Sequence, residues 1–193
     1  AIVCRDFAHV WLKESWATYM EAVWFEETAG EDRAMYELWQ QGQSYFRETR
    51  DRYRRPIVTH RFDSSWDLFD MHLYPGGARR LHALRCELGD GPFWAGVRDY
   101  LERHAHDVAE TDDFRRCMER QSGRSLGRFF EQWFRTPGHP VLEVGFEHDA
   151  EAGLGTFTIT QTQVSEKKGI RAFEFPLELA WVVGDELTHH QVR

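Results

Sequence analysis

The segment Trp11-Leu12-Lys13-Glu14-Ser15-Trp16-Ala17-Thr18-Tyr19-Met20-Glu21 sets one carboxylate, Glu14, inside an aromatic, largely apolar helical pattern. A carboxylate there is costly to desolvate, so it must be exposed, ion-paired or bound to a metal. Thr18 and Glu21 follow at i+4 and i+7 and share its helix face. If Glu14 holds a metal, Glu21 is placed to orient a neighbouring ligand, and Thr18 lies between them. If it does not, the same residues form a structural ion pair or a solvated face.

The remaining candidates for chemistry are incomplete. The chain has 10 histidines but no HExxH, the spacing that puts two imidazoles on one helix face for zinc. His104-x-His106 and His189-His190 read as solvated ends, while His72 and His82 flank a helix start without a matching partner. There is no GxSxG, no P-loop and no GxGxxG. Tyr74-Pro75-Gly76-Gly77 is glycine-rich but lacks a phosphate-loop lysine, and by itself reads as a helix-start turn.

The elements that must position these groups are helical up to about Phe134. Apolar spacing predicts a helix from Trp11 to about Glu27, closed by Gly30, with Trp16, Met20 and Trp24 on its apolar face. A second runs from Glu31 to about Tyr53, carrying Met35, Leu38 and Trp39. A third follows Gly77 and ends at Gly89. Asp90 is a plausible cap for a fourth, Thr111-Asp112-Asp113 opens a fifth, and Ser125-Leu126 a sixth. After Pro140 the period becomes two: Val141 to Phe146, Thr156 to Thr162, Phe173 to Val183 and the last residues read as strands, with turns at Asp149–Gly153 and Gly184-Asp185. Trp11, Trp16, Trp24, Phe129, Phe130 and Trp133 are assigned to the core.

Composition narrows the class. The 193 residues are 41% hydrophobic and 15% aromatic, enough for a sizeable core, and a net charge of -8 argues against nucleic-acid binding. The basic run Arg50-Asp51-Arg52-Tyr53-Arg54-Arg55 is interrupted by acid and reads as a solvated helix end. No apolar run reaches the ~18 residues of a membrane span. Three widely spaced cysteines suggest buried thiols in a reducing, cytoplasmic setting. Ala1-Ile2-Val3-Cys4 reads as a buried strand or loop, and both chain ends fall in apolar elements, which is the pattern expected of a piece of something larger.

The residues around Glu14 resemble the W-L-N-E-G-F-A-x-Y-x-E segment of the aminopeptidase N family of zinc gluzincins, which includes leukotriene-hydrolase-type enzymes. Tyr74-Pro75-Gly76-Gly77-Ala78, with Leu84, Leu88-Gly89 and Phe93 beyond it, resembles the family's Y-x-K-G-A … L-x-x-x-L-G-x-x-x-F. Tyr100-Leu101, Thr111-x-Asp113-Phe114, Ser122-Gly123, Phe129-Phe130-x-Gln132-Trp133 and Gly138-x-Pro140 follow in family order over about residues 1 to 145. Lys13, Ser15 and Gly76 stand where the family usually has asparagine, glycine and lysine. None of these departures removes a ligand or the catalytic hydroxyl.

The resemblance implies a mainly α, overall α+β chain: the helical half of a thermolysin-like catalytic domain over 1–138, then the beginning of a β-sandwich domain over 139–193. It implies one zinc ion with Glu14 as the third ligand, separated from HExxH by eighteen intervening residues, and Tyr74 as donor to the oxyanion. Thr18 and Glu21 are the candidates for orienting a ligand imidazole. The expected substrates are peptides with free N-termini. HExxH would end six positions before Ala1, so this polypeptide by itself is expected to lack peptidase activity. The alternative is a segment of a non-catalytic homologue serving as a scaffold or interaction module.

Overall fold

A computed structural model describes residues 1–165 and 170–192. Helix α1 (Trp11–Ala29) stops where Gly30 takes φ 89°, a left-handed value that glycine adopts without strain, and α2 (Glu31–Asp51) folds back along it. A long connection containing a 3-10 turn at Ser65–Leu68, capped by Ser64, leads to a π-helical turn over His72–Gly76. This turn runs directly into α3 (Gly77–Leu88), followed by α4 (Asp90–Arg103), α5 (Thr111–Ser122), α6 (Gly127–Phe130) and a second π turn at Glu131–Arg135. The mainly α, overall α+β class expected from the sequence holds.

Among the described residues the strands pair only two by two. β1 (Val3–Cys4) pairs in parallel with β2 (Val108–Ala109), tying the chain start to the entry of α5. β3 (Leu142–Asp149) and β4 (Leu154–Gln161) form one antiparallel hairpin, and β5 (Leu177–Val183) and β6 (Glu186–Val192) another. Arg193, in the expected last strand, lies outside the described residues.

Trp11 anchors the core. Its ring lies 4.4 Å from Phe134 and 5.7 Å from Phe114, and Phe130 stacks on Phe134 at 4.9 Å. Its indole N–H donates to Thr111 Oγ1 at 2.8 Å, so the buried polar edge is satisfied. Each such ring contributes about 1.5–3 kcal/mol by leaving water. The first turn of α1, which carries Glu14, is thereby pinned to α5 and the second π turn.

Several expectations are corrected. Trp24 is 65% exposed rather than core, and Met20, Met35 and Trp39 are exposed with it, because the outer faces of α1 and α2 have no packing partner among the described residues. Asp90 does not cap α4; Gly89, at φ 78°, holds that place and the Asp90 carboxylate pairs with Arg85. Phe173 lies outside β5 and packs its ring 5.0 Å from Trp133. Val3 is exposed, as is Cys86, and only Cys117 of the three thiols is buried.

Candidate active site

Glu14 lies in the first turn of α1, where the helix dipole favours a negative charge. It is half-buried, and its carboxylate makes no hydrogen bond or ion pair among the described residues. Of the three environments open to such a group, pairing is absent and exposure is only partial. Thr18 spends its hydroxyl on the Glu14 backbone carbonyl at 3.0 Å, while Glu21 is exposed on the same helix.

Tyr74 reaches this region through local chain chemistry. Pro75 has no N–H, so the bond that would join it to Met71 is missing; Gly76 N–H bonds to the Met71 carbonyl instead, at 2.9 Å, five residues back. That single shift widens the helix into a π turn, a feature often found at functional positions. The expected helix-start turn is therefore already helical, with Tyr74 inside it. A Cβ on Gly76 would come within 2.9 Å of the Tyr45 ring, and one on Gly77 would fall on the Ser15 side chain. Glycine at both places lets the turn sit against α1 and α2 together.

The half-buried Tyr74 phenol is shifted upward by burial and then by the negative charge of Glu14, so it stays protonated at neutral pH. Glu14 and Tyr74 thus lie within electrostatic reach of one another, an unpaired carboxylate and a protonated phenol. One carboxylate suits a zinc ligand, since zinc accepts a carboxylate oxygen beside imidazole nitrogens.

Behind the turn lies a network that sequence reasoning missed. His72, expected to have no partner, is fully buried, with Nδ1 3.0 Å from Glu48 Oε2 and 3.4 Å from Asp70 Oδ2. Asp70 accepts from Arg55 at 2.6 and 2.8 Å, from the Tyr53 hydroxyl at 3.0 Å, and from the backbone N–H groups of His72 and Leu73 at 3.0 and 2.9 Å. Glu48 accepts from Met71 N–H at 2.8 Å and pairs with Arg52. Burial pushes the Asp70 carboxyl up, but the bonds from His72 and Arg55 outweigh it and hold it well below the usual range. Glu48, Asp70 and His72 cluster closely enough to suggest a metal site. Their lone pairs are nevertheless taken by arginine, tyrosine and backbone donors, which makes the cluster an ion-pair scaffold for the π turn. Arg55 is therefore part of this scaffold and not of a solvated helix end. Glu48 is 24 residues from His72, so no local pattern could announce the pairing.

Comparison with known proteins converges on one group. The family model described as the peptidase family M1 domain matches residues 1–133. Aminopeptidase N of Streptomyces lividans is 31% identical over 162 residues, which is 79% of this chain and 18% of that protein. Aminopeptidase N of Lactococcus lactis subsp. lactis is 33% identical over 119 residues, 59% of this chain and 13% of that one. Among solved structures, an M1 zinc metallopeptidase of Deinococcus radiodurans, in a variant bound to a Tyr-Ser-Ala substrate, superimposes with a TM-score of 0.58 at 28% identity, covering 72% of this chain and 30% of that one. Aminopeptidase A of Legionella pneumophila shares the fold over 99% of this chain and 22% of its own, with a TM-score of 0.68 at 18% identity. The chain thus spans less than a fifth of the two curated relatives.

Proposed function

Because the chain belongs to peptidase family M1, we propose that it contributes Glu14 and Tyr74 to the centre of a zinc aminopeptidase that removes residues from peptide N-termini. The observation that carries this reading is the unpaired, half-buried Glu14 carboxylate within electrostatic reach of the protonated Tyr74 phenol. Zinc, when bound, supplies Lewis acidity and a water activated near neutral pH.

Glu14 would act as one metal ligand in the first turn of α1. Glu21, on the same helix, would orient a ligand imidazole. Tyr74 would donate its hydroxyl proton in a hydrogen bond to the oxyanion that develops on the scissile carbonyl, and would keep that proton throughout. Ser15 holds the two elements in register through its bond to the Leu73 carbonyl. Two imidazoles and a general base are still needed, and this chain has no HExxH to provide them. On this reading it is inactive alone.

The test uses the protein that contains this chain. Tyr74→Phe should lower kcat on aminoacyl-p-nitroanilides by about 10²–10³ while zinc content is kept. Glu14→Gln should cost at least ~100-fold in zinc affinity, the upper end of what losing an outer partner does. Hydrolysis untouched by both substitutions would sink the proposal. Absence of hydrolysis and zinc in the unaltered protein would favour the scaffold alternative.

A further inference from the structure

We propose that His82 and Cys86 on α3 form a two-donor binding site for zinc, in a groove that the peptidase chemistry of Glu14 and Tyr74 does not use. The residues stand one helical turn apart at i and i+4, and so share a face. Cys86 Sγ lies 3.6 Å from His82 Nε2. Zinc–sulfur and zinc–nitrogen bonds of about 2.3 and 2.0–2.1 Å at a tetrahedral angle put the two donors about 3.5–3.6 Å apart, so the pair is already spaced to share one ion.

The surroundings prepare each donor. Tyr19 Oη lies 3.4 Å from His82 Nδ1 and can accept its N–H, which leaves Nε2, the nitrogen nearer Cys86, with the lone pair. Cys86 is a free thiol. On binding, the Sγ–H proton passes to solvent as the sulfur–metal bond forms, and nothing is oxidised or reduced.

Glu26 and Asp90 flank the groove but are spent on Arg85, at 2.6 Å each, which leaves the local charge balanced before the ion enters. The groove encloses ≈ 360 Å³, with Val23 and Leu38 on its apolar wall, and has room for the two waters that would complete a tetrahedral shell. Cys86 itself is exposed, so an ion has a way in.

Alkylation of each cysteine by iodoacetamide, followed by peptide mass mapping with and without zinc, reads the site directly. At zinc about ten times the Kd, Cys86 should react about tenfold more slowly while Cys4 is unaffected. His82→Gln should abolish the protection. Cobalt added in place of zinc should give a thiolate charge-transfer band that Cys86→Ser removes; because Cys86 is exposed, that variant carries the test should His82→Gln fail to fold. Equal alkylation rates with and without zinc, protection that survives His82→Gln, or a cobalt band that survives Cys86→Ser would each overturn the proposal. The readout is at Cys86, so it stands or falls apart from any role of Glu14.

Discussion

Ser15 donates its hydroxyl to the Leu73 carbonyl at 2.5 Å, so the residue after Glu14 is bonded to the residue before Tyr74. Gly77 faces the same serine, and a Cβ there would lie 2.5 Å from the Ser15 Cβ. Gly77→Ala should therefore destabilise the chain by about 1–3 kcal/mol through overpacking, although alanine suits a helix better than glycine. Adding Ser15→Gly should relieve the clash, and the pair should be more stable than the sum of the two changes by about 1 kcal/mol or more. Urea unfolding of the four proteins checks this; simple additivity would mean that the two residues do not press on one another.

The side chains of Asp70 and Arg55 are 4% and 13% exposed. Removing one partner leaves the other charge buried. Asp70→Ala should cost about 3–5 kcal/mol, far more than breaking an exposed pair such as Arg50 with Asp51. Thermal or urea unfolding of Asp70→Ala beside Asp51→Ala decides it, and equal losses would remove the scaffold role.

Stability should also fall in mild acid. His139 packs its ring 4.8 Å from Phe46, and burial, with Arg80, Arg54 and His72 nearby, lowers its pKa from 6.5 to about 4. The unfolded chain then takes up a proton at a higher pH than the folded one. The contribution is complete above about pH 6.5 and is lost as pH drops towards 4. His139→Phe should retain on the order of 1 kcal/mol more of its stability than the unaltered chain between about pH 7.5 and 5, after allowance for partial exposure. Parallel denaturation curves at the two pH values check the sign; an unchanged difference would assign the acid loss elsewhere.

Arg80 is buried, with no carboxylate partner among the described residues. Its guanidinium donates to the Gly76 carbonyl at 2.8 Å, the Gly138 carbonyl at 2.7 Å, the Tyr45 hydroxyl at 3.0 Å and the Trp133 carbonyl. Lysine cannot span these four acceptors from one nitrogen, so Arg80→Lys should cost about 3 kcal/mol. A loss below about 1 kcal/mol in urea unfolding would show that the fork geometry is not what joins α3 to the segment after it.

Much of this frame is legible in the residue order. Glycines at 30, 89 and 123 take the positive φ values that end α1, α3 and α5, and apolar spacing locates each helix. Glu14 and Tyr74 stand out because their surroundings are unusual for their chemistry. What could not be read is set by distant partners. Trp24 follows the apolar period of α1, yet periodicity cannot tell a core face from an uncovered one. Arg55 belongs to a basic run, and only the fold brings Asp70 to it from 15 residues away. Phe173 lies in a strand-like stretch, but Trp133 claims its ring.

The π turn at Pro75 has a consequence for alignment and for insertions. One extra residue in a turn rotates the residues before it by about 100° relative to the residues after it. Tyr74 and Leu81 thus obey two different helical frames, and a helical wheel drawn continuously through both would put the phenol on the wrong side. Deleting Gly76 would merge the frames and rotate Tyr74 away from α1, while leaving the apolar face of α3 in place. A homologue one residue shorter at this point could keep every helix and still move the phenol out of reach of the carboxylate.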